Sequence, residues 1–286
     1  MCRVDRGVVL GLHRSGPSRA LIEQAVALGV HGIDTAYNYR GFTSHRTLAR
    51  VGAGLLEEFT ISTKVGYFPL DGSKCHAEHS LDPLRLWEAV ERSADELCRV
   101  PDLVFLHNPE VTLAQLGFDS GRDRLLAGCA VLDEAVASGM CGAWGIATWD
   151  PRPVLAAIEH SVPGIQPGAL LVRAGLSVGA PILTAAESLS QLLEIPPQRR
   201  WGMSPFGGTT ADPAWNRVDL NAFLAAEEEV STAQAAFRLA YELPDVARVA
   251  VGTSSSTHLR DLCAAVELGV DPEATRRYRD LIGLAA

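Results

Sequence analysis

Positive charge is in short supply. The chain has 25 lysines and arginines against 34 aspartates and glutamates, a formal net charge of −9. A protein that neutralises nucleic-acid phosphates needs a basic face, so nucleic acid is excluded as a partner class. Long apolar runs are missing too: none approaches the roughly 18 residues that a membrane span requires, so no membrane partner is expected. Cysteines are few and scattered. Cys2, Cys75, Cys98, Cys129, Cys141 and Cys263 form no C-x-x-C pair, so no metal site is assigned and free thiols in a reducing compartment are expected. Apolar Val8-Val9-Leu10 starts almost at once, so no secretory leader is expected and a cytoplasmic location follows. No Gly-x-Gly-x-x-Gly follows any apolar stretch, which argues against an open, doubly wound dinucleotide-binding sheet.

What is present is an ordinary globular balance, 47% hydrophobic and 21% charged. At 286 residues the chain can bury a large core and lies within the range of one α/β barrel. Short apolar, β-rich stretches recur at 8–12, 30–33, 59–65, 101–107, 143–147, 168–172, 201–204 and 246–251. Helical patterns separate them. Ser18 caps 19–28 and Gly29 ends it; 44–51 follows; Asp82 or Ser80 caps a helix to Leu97 with Pro83 in its first turn. Further helices are read at 123–138, 153–160, 182–193 and 231–243, from Ser256 or Thr257 to 268, and at 271–284, with a short extra one at 220–229. Residues 66–79 read as a long polar loop. Eight strands alternating with eight helices and no linker predict a single-domain (β/α)8 TIM barrel, α/β in class, over 1–286.

In such a barrel chemistry collects at the C-terminal ends of the strands. Those ends carry Asp34 and, after a short loop, Tyr39 on the second strand, Lys64 on the third and His107 on the fourth. Taken singly, each has a bland explanation: a turn aspartate, a snorkelling lysine, a satisfied interior histidine. Together, on three neighbouring strands, they fit one task. An ammonium beside a phenol favours phenolate and makes the tyrosine a better acid. Asp34 would hold Lys64 in place, and His107 would orient a carbonyl oxygen or pass a proton.

With these residues in place the sequence resembles the aldo-keto reductase superfamily. Asp34-Thr35-Ala36-x-x-Tyr39, Ser62-Thr63-Lys64 and Asp102-Leu-x-x-x-His107 match the motifs that carry that family's catalytic tetrad, and the segments 145–148, 204–207 and 250–253 also align. The resemblance implies a barrel that binds a nicotinamide dinucleotide through Thr148, through Ser204, Phe206 and Gly207, through Gly252, Thr253 and Ser254, and through His258, with NADP(H) favoured over NAD(H). It also marks departures. The family's Ser-Asn pair for the carboxamide reads Thr148-Trp149, its strand-six glutamine falls on Leu171, its stacking aromatic on Met203, its 2′-phosphate arginine on His258 and its adenine asparagine on Leu262. Arg260 could stand in for the missing arginine, and Asp261 keeps a carboxylate at the adenine end.

The implied function is an NAD(P)H-dependent oxidoreductase that reduces an aldehyde or ketone to an alcohol, or runs in reverse, acting on a small molecule. Tyr39 would be the acid, assisted by Lys64, Asp34 and His107. The alternative is a redox-silent barrel that uses the same tetrad as a lyase, dehydratase or isomerase; a binding subunit that merely keeps the fold is the third class. Trp149, Trp215 and Tyr37 are the candidate aromatic walls of the substrate pocket.

Overall fold

The computed structural model describes residues 5–70, 76–159, 165–225 and 230–284. Cys2 and Cys75 fall outside them, as does the end of the expected 220–229 helix. The chain opens with β1 (Gly7–Gly11), α1 (Arg19–Ala27), β2 (Gly32–Asp34), the single turn α2 (Tyr39–Phe42) and α3 (Ser44–Val51). Then come β3 (Thr60–Val65), a hairpin of β4 (Tyr67–Pro69) and β5 (Ala77–His79), α4 (Pro83–Leu97), β6 (Leu103–His107), α5 (Glu110–Leu116) and α6 (Phe118–Ala137). The second half runs β7 (Trp144–Thr148), α7 (Pro151–Glu159), β8 (Ala169–Arg173), α8 (Ala180–Leu192), β9 (Arg200–Met203), α9 (Thr232–Leu239), β10 (Arg248–Val251), α10 (Ser256–Val266) and α11 (Pro272–Leu281).

Eight of the strands close a parallel barrel in the order β1-β10-β9-β8-β7-β6-β3-β2, with β1 returning to β2. The two-residue side-chain period then sorts every strand into two faces. Val9, Leu103, Phe105, Ala147, Ala169, Leu171, Trp201 and Ala250 fill the barrel interior. Their neighbours Leu10, Val104, Leu106, Ile146, Leu170 and Val172 face the helices and belong to two outer apolar clusters. The next inward position at the C-terminal end of several strands is polar, and those positions make the mouth: Asp34, Lys64, His107 and Arg173.

Most boundaries follow the sequence reading. Ser18 caps α1 by accepting from the Leu21 amide, Gly29 follows it at φ 71°, and Asp82 caps α4 by accepting from the amides of Leu84 and Arg85. Four expectations need correction. The 66–79 loop contains the antiparallel hairpin β4–β5, whose three-residue strands are too short to register as an alternating pattern. The helix expected at 123–138 starts five residues earlier and is preceded by α5; Pro109 and Gly117 sit just outside the two helices. The 220–229 segment carries only a 3₁₀ turn, Leu220–Phe223, among its described residues. Ser255, one residue upstream of the expected cap, accepts from the His258 amide at the start of α10.

Candidate active site

The second and third strands bring Asp34 and Lys64 together inside the mouth. Lys64 Nζ donates to Asp34 Oδ2 at 2.5 Å and to the Thr35 carbonyl at 2.9 Å, while Ser62 Oγ donates to Asp34 Oδ1 at 2.7 Å. Both ends of the ion pair are buried, Lys64 to 2% exposure and Asp34 to 5%. Burial pulls the Lys64 ammonium down, but the Asp34 charge and hydrogen bond, with Tyr39, outweigh it and hold the group above its ordinary value. Lys64 is one of only two lysines in the chain; the remaining basic side chains are arginines.

Tyr39 opens the turn that follows β2. Residues Arg40 and Gly41 there adopt φ of 54° and 61°, which folds the chain back and returns the phenol to the mouth. Lys64 Nζ lies 5.1 Å from its ring centroid. Burial raises the phenol pKa and the Lys64 charge opposes that rise; the net shift is upward. The phenol is therefore held protonated, with a cation beside it that stabilises the phenolate left by proton donation. His107 stands edge-on to Tyr39, ring centroids 6.1 Å apart. Burial, then the Lys64 charge, push its pKa well below the ordinary histidine value, so it is a neutral imidazole. Its Nδ1 is buried and has no hydrogen-bond partner among the described residues. The four residues singled out in the sequence thus stand together, and their groups suit polarising and protonating a carbonyl oxygen.

Several partners of this cluster have no signature in the sequence. His79, on the hairpin, donates from Nε2 to the His107 carbonyl at 2.7 Å and pairs with Thr112 Oγ1 through Nδ1 at 2.8 Å. Because the carbonyl can only accept, the Nε2 tautomer is fixed. This approach depends on Gly66 at φ 144°, where a Cβ would meet the His107 carbonyl at 2.9 Å. Tyr67 lies edge-on to both His79 and His107, at 4.7 and 4.9 Å, and accepts from Asn108 Nδ2 at 3.2 Å. His13, from the loop after β1, packs edge-on to Tyr39 at 4.8 Å. Gly66 is the one of these whose type hints at a special backbone.

The other half of the mouth differs from the sequence expectation. Thr148 does not face it. The β7 alternation turns Thr148 outward, fully buried, and its hydroxyl donates to Glu110 Oε2 at 2.8 Å. Glu110 Oε1 also accepts from the backbone amides of Trp149 and Asp150. Burial raises the Glu110 pKa against the hydrogen bonds that stabilise its anion. Apart from Arg173 at the end of β8, the positions that face the axis here, Ala147, Leu171 and Met203, are apolar. Leu262 belongs to the outer core between barrel and helices, so it cannot meet an adenine ring. Phe206 offers only its backbone, since its ring packs against Phe237 and Trp215. Tyr37 is likewise no pocket wall: it packs against Phe42 and Phe68 in the outer core. Trp215 donates to the Thr209 carbonyl, whereas Trp149 remains 45% exposed at the mouth.

The dinucleotide that the fold implies can be tested against these residues. After β9, Ser204, Gly207 and Gly208 all adopt positive φ, 55°, 64° and 110°. Such left-handed residues turn consecutive amides to one side, as anion-binding loops do. At Gly252 a Cβ would lie 3.3 Å from the Gly11 carbonyl and 3.4 Å from Ser15 Oγ, so the backbone is open only because the side chain is absent. Exposed Ser254 and His258 flank the first turn of the 11-residue α10. These features fit a dinucleotide's phosphates, and the apolar floor of Ala147, Leu171 and Met203 fits a ring face. Hydrogen-bonding partners for a carboxamide are missing from that floor.

Comparison with known proteins agrees with this fold. A family model described as the aldo/keto reductase family matches residues 17–167. Among solved structures, the holo form of an aldo-keto reductase from Bacillus halodurans superposes with a TM-score of 0.72 at 18% identity, covering 98% of this chain and 92% of that one. An aldo/keto reductase from Klebsiella pneumoniae in complex with NADP and acetate gives 0.68 at 18% identity, covering 98% and 93%. An aldose reductase from Giardia lamblia gives 0.69 at 15%, covering 99% and 94%. No curated protein matches. The family model spans just over half of the chain, including Asp34, Tyr39, Lys64 and His107, and the chain belongs to the aldo/keto reductase family.

Proposed function

We propose that this protein is an NAD(P)H-dependent carbonyl reductase acting on a small aldehyde or ketone, or on the corresponding alcohol in reverse. The observation that carries the reading is the buried Asp34–Lys64 pair set beside the Tyr39 phenol. Tyr39 donates a proton to the carbonyl oxygen. Lys64, held charged by Asp34, stabilises the phenolate that remains, and neutral His107 hydrogen-bonds the same oxygen. When bound, the dinucleotide supplies the hydride. Backbone groups at Ser204, Phe206 and Gly207 and at Gly252, with Thr253, Ser254 and His258, would hold its phosphates and adenosine, and NADP(H) is the favoured form. The NADP complex of the Klebsiella relative supports that choice.

The missing carboxamide partners favour a second reading, in which the same acid–base group works without redox turnover as a lyase, dehydratase or isomerase. Titration with NADPH and NADH, followed by nicotinamide fluorescence, separates the two. Saturable binding is expected; no binding at millimolar dinucleotide overturns the reductase reading. In the loaded enzyme, Tyr39→Phe should lower carbonyl turnover by about 10²-fold or more, the scale of general acid catalysis. Near-full turnover in that variant would remove Tyr39 from the role.

A further inference from the structure

We propose that the mouth of the barrel takes a carbonyl compound that also bears a carboxylate, and that Arg173, beside the Trp149 ring, holds that carboxylate. The inference rests on the reading of the mouth as the substrate's seat. Arg173 is the last residue of β8 and lies one inward step beyond Ala169 and Leu171, which fill the barrel interior. Its register partner on β9 is Met203, which packs against the same interior cluster. The guanidinium therefore heads the apolar half of the mouth rather than the solvent side of the helices.

Arg173 also has no anionic partner of its own. It makes no ion pair or hydrogen bond among the described residues, and its one defined contact is the Trp149 ring, with Cζ 5.3 Å from the centroid. The carboxylate that feels its charge, Asp150, is taken up by Arg152 in a two-pronged contact at 2.8 and 2.6 Å. The Glu110 carboxylate lies behind the sheet and is occupied by Thr148 and two backbone amides. A guanidinium 5.3 Å from an indole centroid is attracted to the ring face, and no other group among the described residues takes up its donors. The guanidinium edge matches a carboxylate through two parallel hydrogen bonds.

His107 is level with Ala147 and Ala147 with Leu171, so Arg173 stands two strands around the barrel and two residues further along, a backbone separation of about 12 Å at roughly 4.8 Å per strand and 3.3 Å per residue. A substrate whose carbonyl meets Tyr39 and His107 reaches Arg173 only if its carboxylate lies several bonds away. The apolar floor of Ala147 and Leu171 seats the dinucleotide's ring, so the intervening hydrocarbon crosses the mouth above it, towards Trp149 and Arg173. An ω-oxo acid or a carboxyaryl aldehyde has this layout, whereas a 2-oxo acid, with its two groups on adjacent carbons, is too short. A dinucleotide phosphate is the other anion that could meet the same guanidinium, and the experiment separates the two.

The probes are 4-carboxybenzaldehyde and its neutral methyl ester, measured by calorimetry on the full chain with and without NADP⁺, in the wild type, Arg173→Gln and Arg173→Lys. The acid is expected to bind at least tenfold tighter than the ester to the wild type. That ratio should collapse in Arg173→Gln and survive in part in Arg173→Lys, which keeps the charge and loses the fork. NADPH affinity should change less than twofold, and circular dichroism should show an intact fold. The ratio of kcat/KM for acid over ester should fall in parallel. The proposal is overturned if the wild type does not prefer the acid, or if the preference persists in Arg173→Gln. It is also overturned if Arg173→Gln weakens NADPH tenfold while the acid-to-ester ratio stands, which would assign the guanidinium to a phosphate. Arg173-dependent binding of the acid without reduction of either probe would sustain the anion site and refute the reductase reading.

Discussion

The two halves of the barrel mouth are built on different terms. On β2, β3 and β6 every strand end carries a polar side chain, and the charged ones are bound: Asp34 by Lys64 and Ser62, Lys64 by Asp34 and Thr35, with the His107 backbone held by His79. On β7, β8 and β9 the inward positions are apolar up to Arg173, and the polar groups nearby, Thr148 and Glu110, turn to each other behind the sheet. On the proposed reading, acid–base geometry and ligand recognition are separable on one barrel. Charges buried in a rigid strand layer need fixed partners, because an unpaired buried charge costs several kcal/mol. Apolar floor positions carry no such penalty and tolerate exchange as long as volume is kept. The four variants that follow, taken from largest expected effect to smallest, test that asymmetry.

Lys64→Met breaks the polar half most severely. It strands the Asp34 carboxylate at 5% exposure and removes the charge beside Tyr39. A stability loss of about 3–5 kcal/mol is expected in urea unfolding, the range for an orphaned buried charge. Carbonyl turnover should fall at least as far as in Tyr39→Phe. A loss below 1 kcal/mol would mean that Asp34 rehydrates and that the pair is less enclosed than its burial implies; this threshold is set well under the about 3 kcal/mol floor for breaking such a pair.

His45 extends the polar half outward. It is buried, pairs through Nε2 with Thr63 Oγ1 at 2.7 Å, and burial lowers its pKa to about 4 from an ordinary 6.5. A depressed pKa means that the unfolded chain binds the proton first. The stabilising contribution is therefore complete above about pH 6.5, shrinks as pH falls, and is gone below about pH 4. That difference corresponds to about 3 kcal/mol. Urea unfolding at pH 7.5 and pH 4.5 should show a fall that is reduced in His45→Gln. The His107 imidazole, pushed in the same direction, leaves a residual slope. An unchanged slope in His45→Gln would assign the acid sensitivity elsewhere.

Gly66→Ala tests the hairpin's part in holding His107. It places a methyl 2.9 Å from the His107 carbonyl at a backbone φ of 144°. About 1–3 kcal/mol of destabilisation is expected from strain of this kind, with a drop in kcat larger than any change in KM, since His107 and His79 are moved apart. Full activity with full stability would show that the hairpin is not part of the site's support.

The smallest effect belongs to the ligand half. His258→Arg at the start of α10 supplies a fixed, forked cation where the sequence has an imidazole. The preference for NADPH over NADH should rise by about tenfold, near 1.4 kcal/mol, as a bidentate guanidinium meets a phosphate. No change in the ratio of the two dissociation constants would place the 2′-phosphate elsewhere, with Arg260 the next candidate.

The polar half of the mouth was legible in the sequence because its logic is local. A strand of a few residues ends where a carboxylate, a lysine or a histidine interrupts an apolar run, and parallel β/α alternation puts consecutive strand ends side by side. Asp34, Tyr39, Lys64 and His107 could therefore be grouped before any coordinate was known, as could the helix caps Ser18 and Asp82, whose hydrogen bonds reach only two or three residues along the chain. The eight-stranded closure followed from counting the same alternation.

Facing was decided only by the tertiary structure. A strand residue turns inward or outward according to a register that depends on its neighbours, and a shift of one position exchanges the two faces. That is why Thr148, an apparent ligand-binding hydroxyl, lies behind the sheet on Glu110, and why Tyr37 packs in the outer core while Trp149 stays at the mouth. It is also why Arg173, which lies one residue beyond the strand expected at 168–172, becomes the guanidinium that heads the apolar floor. Local chemistry could be read along the chain. Which side of the barrel wall each group occupies required the closed sheet, because only there do residues from β6, β7, β8 and β9 acquire a common axis to face.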